Sequence, residues 1–475
     1  MTVRSSAWLL AALALLPQTR AAEASPSRQV LVTSAADGGP GSFRAAIARA
    51  NADPAVTRVV FTGRARTVAL AATVEFTGAQ DLVLDGNGAT LDGAGISTGP
   101  AFRASGGGDL AVMALTVRQA PAEGLTVEVP PTATGVIRVW LSGVDILDNK
   151  GHGVLVNDQV DSTTTDGVQP NGAGSAASVA VAVWNSRFLR NGFSVSDRDG
   201  LRVNEGGEGD LWIAARLVTA DGNAADGIEV DERGVGDVRV DMFGARITGN
   251  GVFDPDDLDD GFDIDEYDDG SIIGRVAFST ISDNYEEGLD FNENNGGDLR
   301  VDLWLVEANG NREEGIDYEE DDDFAGGGDL VATMIGVRAN GNGVDDGDAG
   351  LKIREKGLGE LNVALTGIET AGNLRGGISI REDSTGSLTA TISQATSREN
   401  AGHGIDLDEN RASTTDAGNL AASVTDATVN ANGLAGVRAD QQTPGSGALQ
   451  LTRVELVGNA AGATAGSGVV VTVTP

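Results

Sequence analysis

The chain of 475 residues contains no cysteine, only 4% aromatic residues, and 33 Lys and Arg against 70 Asp and Glu. The absence of cysteine excludes disulfides and metal sites made of thiolates. A formal charge of −37 without a basic patch excludes a nucleic-acid-binding surface. After the N-terminal segment, no apolar run reaches the ~20 residues that a membrane-spanning helix needs. We therefore expect no nucleic-acid partner and no membrane span.

The first residues have the pattern of a secretory signal peptide. Arg4 gives a positive start, a short apolar run follows, and Ala22-Glu23-Ala24 offers small residues for cleavage. We assign residues 1–24 to this signal. The mature chain is then expected outside the cytoplasm, either secreted or periplasmic.

A short segment that begins with glycine and then alternates apolar and polar residues recurs along the chain. Five of the ten spacings between successive copies are 27 residues, and the others are 27 plus an insertion. Alternation with period two predicts a strand with one buried face, and a fixed period of this length predicts a solenoid. The copies begin at glycines 153, 200, 227, 261, 288, 315, 350, 377, 404, 436 and 468.

An asparagine stands four residues before the glycine in the regular copies, and elsewhere an insertion falls between the two. Coils stacked as parallel strands lie about 4.8 Å apart. At that distance one asparagine can bond the next one and the turn backbone, because its amide both donates and accepts hydrogen bonds. We therefore predict a structural ladder of Asn223, Asn250, Asn284, Asn311, Asn342, Asn373, Asn400 and Asn432.

A parallel strand needs a long connection before it can pair with its successor, and the rest of the coil supplies that connection. The pattern resembles the right-handed parallel β-helix of the pectate-lyase and polygalacturonase type, and "GPGSFRAAIARAN" (39–51) resembles a segment near the start of such proteins. The resemblance implies an all-β, monomeric solenoid of about a dozen coils. We expect a helix over residues 42–51 that begins after Ser42, inside a cap with first coils over 25–98, and repeats over 99–475.

Acidic residues occupy three neighbouring columns of the repeat: before the glycine, on the outward strand positions, and at the strand end. A carboxylate at the strand end can accept hydrogen bonds from the following glycine-rich turn. The outward acids have no interleaved Lys or Arg, and a solvated acidic face is one interpretation. The other is a Ca²⁺ surface, because hard cations prefer several carboxylates on a rigid frame. Its predicted ligands are Asp231, Asp263, Asp265, Asp290, Asp317 and Glu319.

An enzymatic alternative comes from a resemblance to polygalacturonases, in which catalytic aspartates precede the strand glycine and G-H-G and R-I-K elements follow. Asp226 and Asp260 each precede such a glycine, and Lys352 opens a K-I-R element with the basic order reversed. The resemblance implies that these aspartates act as acid and base of a glycoside hydrolase, lyase or epimerase, with Lys352 orienting the sugar. The histidines of the two G-H-G elements, His152 and His403, are interpreted as turn residues.

We favour a non-catalytic binding function over the enzymatic one. We expect an extracytoplasmic protein that binds Ca²⁺ and a polysaccharide or cell-surface glycan through its acidic face. A negatively charged groove would repel an anionic glycan unless a divalent cation bridged the two.

Overall fold

The computed structural model describes residues 28–158, 174–194, 197–253, 258–320, 327–344, 347, 349–409 and 418–475. The predicted signal peptide lies outside the described residues. The chain forms two compact units, unit 1 up to Gly236 and unit 2 from Asp237 onward, and they are described separately. No helix in these described ranges is long and apolar enough to cross a membrane.

Each coil contributes strands to two large parallel sheets, and a third, three-stranded sheet accompanies them in unit 2. A long strand of sheet 1, often with a short strand after it, is followed by one strand of sheet 2, which is the glycine-started segment. Alternation sets the burial, since Phe262 and Ile264 are fully buried and Asp263 between them is not. Equivalent residues of successive coils pair in parallel, as Phe262 does with Leu289. The predicted all-β parallel β-helix is confirmed.

In unit 1, sheet 2 consists of β4 Val74–Phe76, β6 Phe102–Ala104, β8 Leu125–Glu128, β11 Val154–Asp158, β14 Leu201–Glu205 and β17 Ile228–Glu232. The long strands of sheet 1 are β1 Arg28–Val32, β2 Val56–Phe61, β5 Leu82–Asp92, β7 Leu110–Arg118, β9 Thr134–Ser142, β12 Ala176–Trp184 and β15 Leu211–Arg216. Its short strands are β3 Thr67–Ala69, β10 Asp145–Leu147, β13 Arg187–Leu189 and β16 Thr219–Asp221.

In unit 2, sheet 2 consists of β20 Phe262–Glu266, β23 Leu289–Glu293, β25 Ile316–Glu320, β27 Ala349–Glu355, β30 Gly376–Glu382, β33 Ile405–Glu409, β36 Val437–Gln441 and β38 Thr464–Ala465. The long strands of sheet 1 are β18 Val238–Phe243, β21 Ile272–Ala277, β24 Leu299–Trp304, β26 Leu330–Ile335, β28 Leu361–Thr366, β31 Leu388–Ser393, β34 Leu420–Thr425, β37 Gly447–Thr452 and β39 Val469–Thr474. The short strands of sheet 1 are β19 Arg246–Thr248 and β22 Thr280–Ser282, and a separate three-stranded sheet consists of β29 Glu369–Ala371, β32 Thr396–Arg398 and β35 Thr428–Asn430.

The number of coils agrees with the prediction, and one detail of the last coils differs. The described residues give six sheet 2 strands in unit 1 and eight in unit 2, against about a dozen expected coils. Strands such as β4 and β38, of three and two residues, are too short to show an alternating pattern. The last glycine-started segment, at Gly468, does not belong to sheet 2, because β39 pairs with β37 of sheet 1.

The predicted N-terminal helix is also confirmed. Helix α1 spans Phe43–Ala52, and the Ser42 side chain caps it by accepting a hydrogen bond from the Ala45 backbone N–H at 3.1 Å. Phe43 is fully buried, and its ring centroid lies 5.1 Å from that of Phe61. The apolar face of the helix thus packs on the first strands of unit 1.

Asparagines at one turn are joined from coil to coil. In unit 2, Asn311 Oδ1 accepts hydrogen bonds from the backbone N–H and the Nδ2 of Asn284, at 3.0 and 3.1 Å. Its own Nδ2 donates to the carbonyl of Ile281 at 3.3 Å. The eight predicted asparagines are all at most 1% exposed. Each asparagine therefore gives the buried polar groups of the turn a hydrogen-bond partner at a position where water cannot serve as one.

Candidate functional site

Three aspartates on consecutive sheet 2 strands of unit 2 form what we call the acidic row: Asp263, Asp290 and Asp317. They are in register from strand to strand, and parallel strands lie about 4.8 Å apart. The predicted ligands Asp265 and Glu319 occupy the next outward positions of the first and last strands. Charges at this spacing repel by roughly 1 kcal/mol even in water, and by more when buried. The row therefore needs compensation.

Lys352 compensates the row at its last member. It is in register with Asp317 on the following strand, and its Nζ lies 2.6 Å from both Asp317 Oδ2 and Glu319 Oε1. Although burial opposes ionisation, the ammonium groups of Lys352 and Lys356 lower the pKa of Glu319 to about 2. No Lys or Arg is interleaved between Asp263 and Asp317, and the column then continues into Lys352 on the following strand.

At the other end, Asp260, Asp263 and Asp290 come together, and we call them the acid trio. One carboxylate oxygen of each lies within 4.8 Å of the others. Asp290 Oδ2 accepts a hydrogen bond from Asn292 at 2.9 Å. Asp290 Oδ1 is buried and finds no hydrogen-bond donor among the described residues. Burial and the charge of Asp265 raise the pKa of Asp290 to about 7.

Asp317 carries a second buried oxygen of the same kind. The residue is 4% exposed, and within the described part of the chain its Oδ1 has no hydrogen-bond partner. Burial raises the pKa of Asp317, against the effect of Lys352, and the charge of Asp290 adds to the rise. An unsatisfied buried polar group costs about 1–3 kcal/mol, and more when charged. Carboxylate oxygens that lack donors are suitable ligands for a hard cation.

Unit 1 holds a different acidic centre, built around the buried Arg202. Its guanidinium lies 2.6 Å from Asp197, 2.5 Å from Glu229 and 2.6 Å from Asp231. Burial, partly offset by Arg202, raises the pKa of Glu229 well above its usual range. The predicted ligand Asp231 thus binds an arginine. Arg202 is not among the residues predicted from the sequence, although its register with Glu229 follows from the repeat.

The residues of the enzymatic alternative belong to both units. Asp226 lies in unit 1, is 6% exposed, and donates its backbone N–H to Asp199 Oδ1 at 3.1 Å. Asp260 lies in the acid trio of unit 2, and the Lys352 ammonium is held by two carboxylates. The catalytic role of these three residues stays a prediction.

Both histidines bond the backbone of the next coil. His152 Nδ1 accepts a hydrogen bond from the Asp199 N–H at 3.0 Å, and His403 Nδ1 accepts one from the Ala435 N–H at 3.2 Å. Burial lowers the pKa of His403, which favours the neutral ring that this contact requires. The structure therefore gives both rings a part in holding turns.

The strand-ending glutamates are fully buried against the glycine-rich turns. Glu293 Oε1 accepts the Gly297 N–H at 2.9 Å, for example. Burial, followed by the hydrogen bond and charge of Glu266, raises the pKa of Glu293 to about 10. Burial and the adjacent Glu320 raise the pKa of Glu355 to about 11. We call the unit 2 members the glutamate ladder: Glu266, Glu293, Glu320, Glu355, Glu382 and Glu409.

No protein-family model and no curated protein matches the sequence. Among solved structures, the crystal structure of pectate lyase Pel9A is similar with a TM-score of 0.39 and 14% identity, over 65% of this chain and 77% of that one. Two structures of the catalytic domain of a GH87 α-1,3-glucanase, with nigerose and with tetrasaccharides, have TM-scores of 0.31 and 0.32 and 9% identity, over 95% of this chain and 69% of theirs. At these values the likeness concerns the type of fold.

Proposed function

We propose that the chain is a non-catalytic, extracytoplasmic β-helix protein that binds Ca²⁺ at the acid trio and, through the cation, an anionic polysaccharide. The observation that carries the proposal is the buried Asp290 Oδ1, an oxygen of the trio that has no donor among the described residues. The next member of the row, Asp317, carries a second such oxygen outside the trio.

The donor set fits a hard cation. Ca²⁺ takes six to eight oxygen ligands at about 2.3–2.6 Å, and carboxylates can supply one or two oxygens each. The trio offers carboxylates from Asp260, Asp263 and Asp290 with mutual oxygen distances within 4.8 Å. The positive charge of the cation would also offset the repulsion among the trio carboxylates, because Lys352 pairs with Asp317 and Glu319 at the other end of the row.

The cation also explains how an acidic protein could hold an acidic polymer. Asp263 and Asp290 are half-buried, so a cation bound to them would keep coordination positions open to solvent. A uronate carboxylate can fill such positions, whereas the protein surface alone would repel it.

The test is a thermal melt with the cation as the variable. Purified protein is compared in chelator, in millimolar Ca²⁺ and in NaCl of matched ionic strength. Ca²⁺ that binds the folded state stabilises it by about 2.7 kcal/mol at a hundred times the dissociation constant. We expect a shift well above that in NaCl, and we expect Asp263→Asn with Asp290→Asn to reduce it.

The matched control removes the same charge elsewhere in unit 2. Asp283→Asn with Glu455→Gln changes two exposed acids and should leave the Ca²⁺ shift intact. Equal shifts in Ca²⁺ and NaCl would contradict the cation site. Titration of the Ca²⁺-loaded protein with oligogalacturonate then tests the glycan, and binding that persists in chelator would contradict the bridging role.

A further inference from the structure

An apolar stripe lies on the solvent side of sheet 1 in unit 2. Its members stand at the ends of long strands or at the turn that follows, and each is 38–54% exposed: Phe243, Phe278, Trp304, Leu305 and Ile335. The ring centroids of Phe243 and Phe278 are 5.0 Å apart, and Trp304 is in register with Ile335 on the next strand. Contiguous exposed apolar surface of this kind marks an interaction site more often than chance exposure does.

Two members of the stripe hold a backbone conformation that bulky residues avoid. Phe278 and Leu305 both have φ of 53°, in the left-handed region. At the same turn, neighbouring coils use Gly244, Gly336 and Gly367, with φ of 66–67°. The left-handed turn recurs along the chain, and other coils place Leu217, Gln394 or Arg453 there with φ of 52–55°. An exposed apolar side chain is not required at this turn, since glycine adopts the conformation without strain, so its presence at Phe278 and Leu305 points to a functional role.

Polar groups stand beside the stripe in a surface pocket of about 260 Å³, with Leu305 as part of its wall. Arg338 bridges Glu307 at 2.7 Å and Glu369 at 3.3 Å, and Gln394 lines the same pocket. The charged side chains are 35–54% exposed, so a ligand can reach them. Guanidinium, carboxylate and amide groups offer the paired donors and acceptors that neighbouring sugar hydroxyls require.

We propose that the stripe and this pocket bind an uncharged polysaccharide that runs across successive coils. One face of a pyranose ring is made of C–H groups and packs on aromatic rings, while the hydroxyls at its rim reach polar groups. Strands repeat about every 4.8 Å, which is close to the advance of one pyranose unit along an extended chain. The stripe therefore matches a polymer in both chemistry and repeat.

The charges around the stripe favour an uncharged ligand. The ionic groups here are paired, Arg275 with Asp241 at 3.1 Å and Arg338 with two glutamates, so there is little excess charge for an ionic ligand. A second copy of the chain is disfavoured, because each copy carries a formal charge of −37. The inference uses sheet 1 and does not depend on the proposed Ca²⁺ site of sheet 2.

The experiment is affinity electrophoresis and calorimetry in chelator, with hydroxyethylcellulose, glucomannan, xylan and laminarin as uncharged probes and polygalacturonate as the anionic one. We expect at least one uncharged probe to bind and polygalacturonate not to bind. Phe278→Asn with Leu305→Asn should weaken binding by about tenfold or more. The melting temperature should stay the same or rise, because Asn tolerates the left-handed conformation. Trp304→Ala, which leaves the turn unchanged, is the second variant.

Asp426→Asn is the control, because Asp426 holds φ of 54° at the same turn in a coil outside the stripe. It should bind like the wild type. The proposal is overturned if no uncharged probe binds, or if the stripe variants bind as tightly as the wild type. It is also overturned if sedimentation shows a dimer that these variants dissociate, since the stripe would then be a contact between copies.

Discussion

At the residue scale, the glutamate ladder shows how a chain of such negative charge can bury carboxylates in a column. Glu293 and Glu355, with pKa values of about 10 and about 11, hold their protons at neutral pH and can donate to neighbouring glutamates. On the strand that follows the last ladder member, the chain has an amide at the equivalent position. Gln441 is in register with Glu409, and its Nε2 contacts Glu409 Oε2. An amide donates a hydrogen bond as a protonated carboxyl does, so Gln441 indicates which substitution the ladder accepts.

The ladder predicts an unusual dependence of stability on pH. Folded Glu293 holds its proton to a pKa of about 10, against an ordinary value of 4.5. Its contribution to stability is therefore complete below the ordinary pKa and is lost as the pH rises toward the folded pKa. We expect Glu293→Gln to remove one such group, so that the variant gains on the wild type by about 1 kcal/mol per pH unit between about pH 5 and pH 8. Urea denaturation at several pH values measures the difference.

The control for this substitution is Glu399→Gln, which changes a glutamate whose side chain is 64% exposed. Its difference from the wild type should be small and independent of pH. A Glu293→Gln variant that loses stability equally at every pH would show that Glu293 is ionised in the folded state.

At the scale of the element, the asparagine turns hold successive coils together. Asn311→Ala removes the acceptor of two buried Asn284 donors, at 3.0 and 3.1 Å. Each buried donor left unsatisfied costs about 1–3 kcal/mol. We expect the substitution to lower the free energy of unfolding by about 2 kcal/mol or more. Asn340→Ala is the matched control: it also removes a coil-to-coil acceptor, for the Ala371 N–H at 2.7 Å, but at a half-buried position that water can reach. Equal losses in urea denaturation would contradict the importance of burial.

The strands and the helix could be predicted because their signals are local. Alternation places Phe262 and Ile264 in the core, and the 27-residue period brings each strand beside its successor. The segment at Gly468 was misplaced because alternation alone does not say which sheet a strand joins. Pairing depends on what the neighbouring coil presents.

The candidate site could be predicted only in part. Register alone aligns Asp263, Asp290 and Asp317. The burial of Asp317 could not be predicted, because period-two alternation assigns its outward strand position to the exposed face. Strained positions such as Leu305 are also invisible in sequence, because an apolar residue near a strand end is normally assigned to the core.

At the scale of the whole molecule, the negative charge is concentrated in one stretch. Residues 251–350 contain 30 Asp and Glu against four Lys and Arg, whereas residues 28–158 contain 12 against ten. A solenoid contacts only its neighbouring coils, so its stability is approximately a sum of local terms. Electrostatic repulsion should therefore weaken strands β20, β23 and β25 selectively.

Hydrogen exchange at constant pH tests this selectivity. Raising NaCl from about 0.01 M to about 0.5 M shortens the screening length from about 30 Å to a few Å. In chelator, where no divalent cation intervenes, we expect amide exchange in Phe262–Glu266, Leu289–Glu293 and Ile316–Glu320 to slow by roughly fivefold, which corresponds to about 1 kcal/mol of local opening. Strands Leu82–Asp92 and Leu110–Arg118, in the nearly neutral part of unit 1, serve as the internal control and should change little. Similar slowing in both regions would mean that salt stabilises the whole fold and does not act by screening the acidic strands. In that case Lys352 and the shared protons of the glutamate ladder already neutralise the charge of unit 2.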